Sequence, residues 1–328
     1  MTLVTAAEWF AGGQRIPYDP EAARVLTERE AAATPSALRV FERVTGPQQH
    51  TVWLTMLPGF PDGSYGWAQV DRLLDNSPRL YVEPVGQGDS DKPSDYRYST
   101  VERADLVQAL WRHHGIPRTV VVTFDYTSLA LLELLRRQQE ATPATTITAV
   151  FMVNGGLFAD AHTHPWRTTP LLRTKLGELG MRRAQRTPRV FDETMLRSRL
   201  YSRDYHPAPA QIAEFREAVT RRDGAAFLHN AAGFVVEHRR HARRWDLAAI
   251  ARDLDGTVAI HIGGSEQDPY EHRQLRAARQ RVPEAEIRTF PGGHLTTAEH
   301  PDRLAEAIRD IAARHGVGTP ATTTRTAP

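Results

Sequence analysis

The hydrophobic pattern along the chain predicts short buried strands that alternate with amphipathic helices. Continuous apolar runs bounded by turn residues indicate strands at 37–44, 51–57, 79–82, 119–123, 146–153, 257–262 and 286–290. Apolar residues at helical spacing indicate helices around 67–74, 101–114, 129–135, 270–281 and 301–314. Strands and helices that alternate in this way are typical of α/β domains with a mostly parallel central sheet and helices on both faces.

The alternation stops between residues 154 and 245, where the pattern is helical, rich in arginine and interrupted by prolines. A chain of 328 residues also exceeds the roughly 250–300 residues that one hydrophobic core comfortably fills. We therefore expect a helical cap at 154–245, inserted into a core formed by residues 1–153 and 246–315. The polar, small-residue stretch 316–328 is predicted to be a disordered tail.

One carboxylate stands at the junction of a predicted strand and a predicted helix. The apolar run 119–123 leads through Asp125 into the helical stretch 129–135, and the neighbours Thr127 and Ser128 are small enough for a tight turn. In α/β-hydrolases this is the position of the nucleophile. An aspartate has a reference pKa of about 3.9, so it can attack an electrophilic carbon directly and form an ester. The alternative role for Asp125 is that of a helix N-cap.

A base and an acid are expected further along the chain, in that fold's order of nucleophile, acid and histidine. His294 follows two glycines after the last predicted strand, so it is the candidate base among the 14 histidines. Asp268 and Glu266 both follow the strand that normally carries the acid, and Asp268 is favoured because Asp-Pro opens the next helix. That residue could instead only cap the helix, and Asn154 is a neutral alternative.

Two backbone N–H groups are expected to form an oxyanion hole. The N–H of Tyr126 directly follows the candidate nucleophile, and the N–H of Phe60 lies in the loop after the strand 51–57. Gly59 allows the backbone of this loop to turn toward the site.

Composition excludes several kinds of chemistry. The chain has no cysteine, which rules out disulfides, thiolate metal sites and a cysteine nucleophile. His162 and His164 are close in sequence, but no further ligands stand at a metal-binding spacing, so no metal or organic cofactor is expected. The net charge is only +2 and the arginines are spread among acidic residues, so a nucleic-acid partner is not expected.

The expected partner is a small apolar organic substrate, and the oligomeric state is left open. The N-terminus lacks a signal peptide, and no apolar stretch is long enough to span a bilayer. We therefore expect a cytoplasmic protein without a membrane anchor.

Taken together, the motifs resemble those of the epoxide hydrolase and haloalkane dehalogenase superfamily of α/β-hydrolases, over about residues 37–314. The resemblance rests on Gly59-Phe60-Pro61, the turn-rich motif 86–93, Asp125 and His294. Within the superfamily the chain is most similar to the branch of the mesoderm-specific transcript protein, through the segments 124–126, 154–158, 222–224 and 237–245.

The chain departs from the superfamily at three places. Leu57-Pro58 precedes Gly59 where a histidine is usual, and Phe124 and Thr127 flank the nucleophile where histidine and glycine are usual. A β-branched Thr127 is expected to strain or reshape the tight turn.

The resemblance implies three possible functions. Epoxide hydrolysis through an ester on Asp125 is favoured, and such enzymes protonate the leaving oxygen with cap tyrosines, here Tyr201 or Tyr205. Haloalkane dehalogenation is the second reading, but Tyr126 and Phe60 lack the side-chain N–H donors that would stabilise a halide. The third reading is a non-hydrolytic cyclase, lyase or binding protein on a degenerate hydrolase scaffold, which the departures from the superfamily motivate.

Overall fold

A computed structural model of the protein describes residues 2–141, 143–163, 174–197, 200–222, 234–269 and 272–318. The strands in these ranges are β1 (Gln14–Asp19), β2 (Arg24–Val25), β3 (Leu38–Thr45), β4 (Val52–Leu57), β5 (Arg79–Val82), β6 (Arg118–Phe124), β7 (Thr146–Val153), β8 (Ala259–Ser265) and β9 (Glu286–Phe290). The helices are α1 (Ala6–Ala11), α2 (Glu28–Ala33), α3 (Ala68–Asp71), α4 (Thr100–His113), α5 (Ser128–Glu140), α6 (Lys175–Gln185), α7 (Pro188–Arg197), α8 (Pro209–Thr220), α9 (Phe234–Arg240), α10 (Leu247–Asp253), α11 (His272–Arg281), α12 (Thr296–Glu299) and α13 (Pro301–Arg314).

These strands form one sheet in the order β2-β1-β3-β5-β4-β6-β7-β8-β9. From β5 to β9 all neighbours pair in parallel, whereas β3, β1 and β2 add an antiparallel edge. The mostly parallel sheet predicted from the sequence is thereby confirmed. The chain winds from β4 to β5 on one side and then crosses to β6 on the other, so the carboxyl ends of β4 and β6 flank a topological switch point, where ligands bind in open α/β sheets.

Both faces of the sheet are covered by helices because its central strands are apolar on both sides. On β6, Val120 and Val122 pack into the core that contains α1, α3 and α13, whereas Val121 packs into the core that contains α4, α5, α10 and α11. Full burial of one such side chain stabilises the fold by about 1.5–3 kcal/mol. The strand that carries the candidate nucleophile is thus held from both sides.

The N-terminal region holds more structure than the sequence pattern predicts. Strands β1 and β2 and helices α1 and α2 lie in a segment for which the pattern predicts only the strand that became β3. Strand β2 has two residues, and β1 contains Pro17, which weakens the signal for a strand. Strands β5, β7 and β9 and helix α13 have the predicted bounds, while the helix expected at 67–74 is shortened to α3 after a 3₁₀ turn.

The described part of residues 154–258 contains helices α6 to α10 and turns, with no strand. The division into a core and a helical cap stays a prediction. Most of the expected tail, residues 316–328, lies outside the described residues. Within the described ranges, no helix combines the length and the apolar character needed to cross a bilayer.

Candidate active site

Asp125 occupies a strained backbone position at the carboxyl end of β6. Its φ angle is +57°, in the left-handed region that costs a non-glycine residue about 1–2 kcal/mol. The turn is held by local hydrogen bonds, since the hydroxyl of Ser128 donates to the carbonyl of Asp125 at 2.8 Å and that of Thr127 donates to the carbonyl of Phe124 at 3.0 Å. Strain of this kind is typical of functional sites.

The expectation that Thr127 strains this turn is wrong. Its φ and ψ angles are −69° and −9°, ordinary helical values that a β-branched residue can adopt. The unusual conformation lies two residues earlier, at Asp125 itself. Thr127 instead supports the turn through its hydroxyl group.

The loop after β4 reaches the carboxylate of Asp125. A Cβ at position 59 would collide with the ring of Phe124, so only glycine permits the loop to approach so closely. The N–H of Phe60 donates to Oδ2 of Asp125 at 3.0 Å, and the N–H of Tyr126 also hydrogen-bonds to this carboxylate. The two N–H groups named from the sequence therefore converge on the same side chain.

His294 lies beside Asp125 and is backed by Asp268. Its Nδ1 is 2.8 Å from Oδ2 of Asp268, and its Nε2 is 3.7 Å from Oδ1 of Asp125. The first distance is that of a strong hydrogen bond, while the second is longer than one. All three side chains are buried. The three residues meet because the carboxyl ends of β6, β8 and β9 share one edge of the sheet.

Burial and charge set the protonation of this group. Burial raises the pKa of Asp125 to about 6, against the opposing charge of His294 and the N–H donors of Phe60 and Tyr126. Burial alone would lower the pKa of His294, but the carboxylates of Asp268 and Asp125 outweigh this effect and raise it to about 9. Around neutral pH the site thus holds an anionic Asp125 beside an imidazolium.

The two alternative partners for His294 do not hydrogen-bond to its ring. Glu266 is exposed, and Asn154 binds the backbone around the ring instead. The amide nitrogen of Asn154 donates to the backbone carbonyl of His294 at 2.6 Å and to the hydroxyl of Thr296 at 3.1 Å, and its amide oxygen accepts from the N–H of Ser265. Asn154 thus fixes the loop that carries the imidazole, while Asp268 contacts the ring.

Glu299 connects the histidine loop to the segment after α7, a link that the sequence pattern did not suggest. Its Oε1 accepts from the N–H of Gly293 at 3.0 Å and from the N–H of Ser202 at 2.9 Å. A Cβ at position 293 would collide with the backbone of Tyr201 and Ser202, so the glycine before His294 permits this contact. The only sequence feature that pointed to this contact was the glycine pair Gly292-Gly293.

The two tyrosines proposed as acid donors differ in their surroundings. The hydroxyl of Tyr205 donates to the carbonyl of Ala298 at 3.3 Å and accepts from Gln211 at 2.8 Å, so it is occupied in a structural contact. Tyr201 stacks on Tyr205 with ring centroids 5.4 Å apart and lines a cleft together with Asp62. The structure therefore favours Tyr201 over Tyr205 as a group near the site.

Comparison with known proteins identifies the family of this chain. The model of the alpha/beta hydrolase family matches residues 56–307, which include the candidate nucleophile, acid and histidine. The chain belongs to the alpha/beta hydrolase family. Because the family model matches most of the chain, this match establishes the fold and the general class of hydrolase.

Individual relatives of this hydrolase are distant. LipZ of Mycobacterium tuberculosis is 27% identical over 316 residues, which is 95% of this chain and 99% of LipZ. The human mesoderm-specific transcript homolog protein is 28% identical over 227 residues, 66% of this chain and 64% of the human protein. The haloalkane dehalogenase DbeA of Bradyrhizobium elkani aligns with a TM-score of 0.65 at 18% identity, covering 85% of this chain and 95% of DbeA. At that identity the structural similarity shows the fold alone.

Gln87, in the motif 86–93, joins the two loops that supply the N–H donors of this hydrolase. Its amide nitrogen donates to the carbonyl of Gly59 at 2.7 Å, and its amide oxygen accepts from the hydroxyl of Tyr126 at 2.9 Å. The guanidinium of Arg103 donates to the same hydroxyl at 3.2 Å. The side chain of Tyr126 is thereby anchored through its hydroxyl group.

Phe124, which stands where the superfamily has histidine, forms part of the wall around the site. Its ring centroid lies 5.4 Å from that of His294 and 6.1 Å from that of Trp67. The phenyl ring of Phe124 packs against the imidazole of His294 and has no hydrogen-bond donor.

Among the described residues, one group has side-chain atoms spaced for a metal ion: Glu42, His113 and His114. Glu42 already accepts from Gln14 at 2.9 Å and pairs with His114 at 2.7 Å. Of the two histidines noted in the sequence, His162 hydrogen-bonds to His238 at 2.8 Å, and His164 lies outside the described residues.

Proposed function

We propose that this hydrolase opens a small, apolar epoxide through a covalent ester on Asp125. The observation that carries the proposal is the carboxylate of Asp125, which is 5% exposed, receives the Phe60 N–H at 3.0 Å and lies 3.7 Å from His294. A carboxylate with this environment is already ionised at neutral pH, so it needs no base before it attacks.

In the first step an oxygen of Asp125 attacks a ring carbon and the C–O bond of the ring breaks. The electron pair of that bond goes to the leaving oxygen, which takes up a proton from an acid in the site. The product is a hydroxyalkyl ester of Asp125.

Before the second step, the acid that protonated the leaving oxygen takes up the proton of the His294 imidazolium. The neutral imidazole of His294 then removes a proton from water, and the resulting hydroxide attacks the ester carbonyl. The N–H groups of Phe60 and Tyr126 are placed to stabilise the oxyanion that forms on Asp125, a contribution of about 3–4 kcal/mol per donor in known hydrolases. Asp268 would stabilise the imidazolium. Collapse of the intermediate releases a diol.

Dehalogenation fits the described residues less well. A leaving halide needs N–H donors, and the side chains of Phe60 and Tyr126 have none. The nearby indole N–H of Trp67 already donates to the carbonyl of Leu57 at 3.2 Å. An alkoxide, by contrast, needs a proton, and acidic groups are present around the cleft.

The test is turnover of a panel of epoxides, chloroalkanes and carboxylic esters in ¹⁸O-labelled water. The proposal expects diol formation from an epoxide, with ¹⁸O entering Asp125 in the first turnover and reaching the diol in later ones. Halide release from chloroalkanes alone would favour dehalogenation. Conversion of an epoxide without label in Asp125 would favour a non-hydrolytic or direct mechanism and overturn the ester route.

The variant His294→Gln offers a second test, because alkylation needs no base whereas ester hydrolysis does. After incubation with an epoxide substrate, the intact mass of this variant should increase by one substrate molecule, and peptide mapping should place the adduct on Asp125. The variant Asp125→Asn should show no adduct. An unmodified mass in His294→Gln, with a substrate that the native protein turns over, would contradict the proposal.

A further inference from the structure

A second buried carboxyl group lies in the loop that carries Phe60. Asp62 is 2% exposed, and within the described part of the chain its Oδ1 has no hydrogen-bond partner. A buried ionised carboxylate without partners is costly, so such a group either becomes protonated or has a functional reason to be there. Asp62 has no assigned role in ester formation or hydrolysis.

The structure fixes the position of Asp62 by contacts on both sides. The N–H and hydroxyl of Ser64 donate to the buried carboxylate of Glu83, at 3.1 Å and 2.5 Å. A Cβ at position 63 would collide with Glu83, and a Cβ at position 66 would collide with the carboxyl group of Asp62. Glycines at these two positions let the turn close around the acid.

Asp62 lines a narrow cleft of about 50 Å³, a volume that holds one or two waters. Other groups in its wall are Tyr65, Tyr201, Phe215 and Leu295, which come from the turn after β4, the segment before α8, α8 itself and the histidine loop. The wall also contains Gln69, Gln211 and Thr297, so it combines apolar, phenolic and other polar groups. Among the described residues that line the cleft, Asp62 is the only carboxylic acid.

The charged groups that act on Asp62 include the reacting ones. Burial raises the pKa of Asp62 to about 7, and the negative charge of Asp125 acts in the same direction. The backbone N–H of Asp62 and the charge of His294 act in the opposite direction and lower this pKa. Asp62 in turn raises the pKa of His294, Tyr65 and Tyr201 and of the buried Glu83. The negative charge of Asp125 thus favours the protonated form of Asp62.

We infer that Asp62, two residues after the Phe60 whose N–H binds Asp125, is the acid of the ring-opening step and donates its proton to the leaving oxygen of the epoxide. This inference rests on the proposed function and names a catalytic residue that the sequence did not suggest. The hydroxyl group of Tyr205, one of the acids expected from the sequence, is instead engaged with Ala298 and Gln211.

The proton balance closes over one turnover. In ring opening, Asp125 forms the C–O bond of the ester, the ring C–O bond breaks, and the proton of Asp62 moves to the leaving oxygen. The Asp62 carboxylate then takes the proton of the His294 imidazolium, which regenerates the acid and leaves a neutral imidazole as the base.

Hydrolysis restores the starting state. The neutral His294 takes one proton from water and the hydroxide adds to the ester, so that collapse leaves a carboxylic acid on Asp125 and an alkoxide. The proton of that acid passes to the alkoxide and completes the diol. Asp125 is again anionic, His294 is again protonated, and the net reaction is epoxide plus water to diol.

The experiment compares leaving groups in single-turnover alkylation of Asp125. In a His294→Gln background, adduct formation is followed by intact mass with an epoxide substrate and with an α-bromo ketone of similar size, whose bromide leaves without a proton. Adding Asp62→Asn should slow the epoxide reaction at least about 100-fold and leave the bromo ketone reaction within a few-fold. The bromo ketone also reports that the variant is folded around Asp125.

Asp255→Asn, at an exposed aspartate, is the matched control and should change neither rate. Equal epoxide rates with and without Asp62→Asn would overturn the role of Asp62 and leave the proposed function standing. Absence of an epoxide adduct in the His294→Gln parent would overturn the proposed function and this inference with it.

A pH profile of the native protein gives an independent readout. The rate constant for ester formation should fall as the pH rises above about 7, because Asp62 loses its proton. In Asp62→Asn this alkaline limb should be absent. A profile with the same alkaline limb in both proteins would contradict the inference.

Discussion

The Nδ1 atom of His294 lies 2.8 Å from Oδ2 of Asp268, and both side chains are buried. Asp268→Asn should therefore lower kcat by at least about 100-fold, because a neutral amide no longer stabilises the imidazolium or selects its tautomer. Steady-state kinetics should show the loss in hydrolysis, with the ester of Asp125 accumulating. Glu266→Gln, at the exposed alternative acid, is the control, and a comparable loss there would contradict the assignment of Asp268.

Ester formation should also weaken at low pH. The pKa of Asp125 is raised to about 6, and a carboxyl group is neutral below its pKa. The alkylation rate constant in His294→Gln should thus fall about tenfold per pH unit once the pH is well below the pKa of Asp125. That value will itself be higher in this variant, because the charge of His294 lowers it in the native protein. A rate that stays constant down to pH 4 would argue against a carboxylate nucleophile.

Gly293→Ala should damage the site and the fold together. A Cβ there would collide with the backbone of Tyr201 and Ser202, so the histidine loop must shift, at a cost of about 1–3 kcal/mol in the free energy of unfolding. Urea denaturation and kcat should both show the loss. Gly180→Ala, in helix α6 with nothing within 4 Å of the added Cβ, is the matched control and should be neutral or stabilising by up to about 1 kcal/mol.

Thr127→Gly introduces the residue that is usual in the superfamily, yet it should not stabilise this protein. Thr127 already has helical backbone angles, and the change removes its hydrogen bond to the carbonyl of Phe124 while adding the flexibility of glycine. We expect a loss of about 1–2 kcal/mol in the free energy of unfolding, measured by urea denaturation. A gain in stability would show that the threonine strains the turn after all.

Tyr201 and Tyr205 should differ in their effects on catalysis. Tyr205→Phe removes a hydroxyl that bonds to Ala298 and Gln211, so it should change stability more than kcat. Tyr201→Phe tests the tyrosine that lines the cleft with Asp62. If Asp62 is the proton donor, kcat for an epoxide should fall less than about tenfold in Tyr201→Phe. A loss of 100-fold or more would assign the proton transfer to Tyr201 instead.

The sequence by itself determined the parallel part of the sheet and the place of Asp125 between a strand and a helix. Apolar runs such as that of β6, followed by a small-residue turn and an apolar helix, are local patterns, and the folding of each depends mainly on residues next to it in the chain. The same holds for β7, β9 and α13, whose bounds matched the prediction. The short, proline-containing β1 carries too weak a local signal, and its pairing with β3 is decided by distant residues.

Only the tertiary structure decided which polar groups meet. The choice of Asp268 over Glu266 depends on which side chain turns toward His294, and the link between Glu299 and Ser202 joins residues 97 positions apart. Asp62 reads in the sequence as an ordinary turn residue between proline and glycine. Its burial and the effect of the Asp125 charge on its pKa appear only when strands β4 and β6 lie next to each other, because desolvation and charge depend on distance in space and not along the chain.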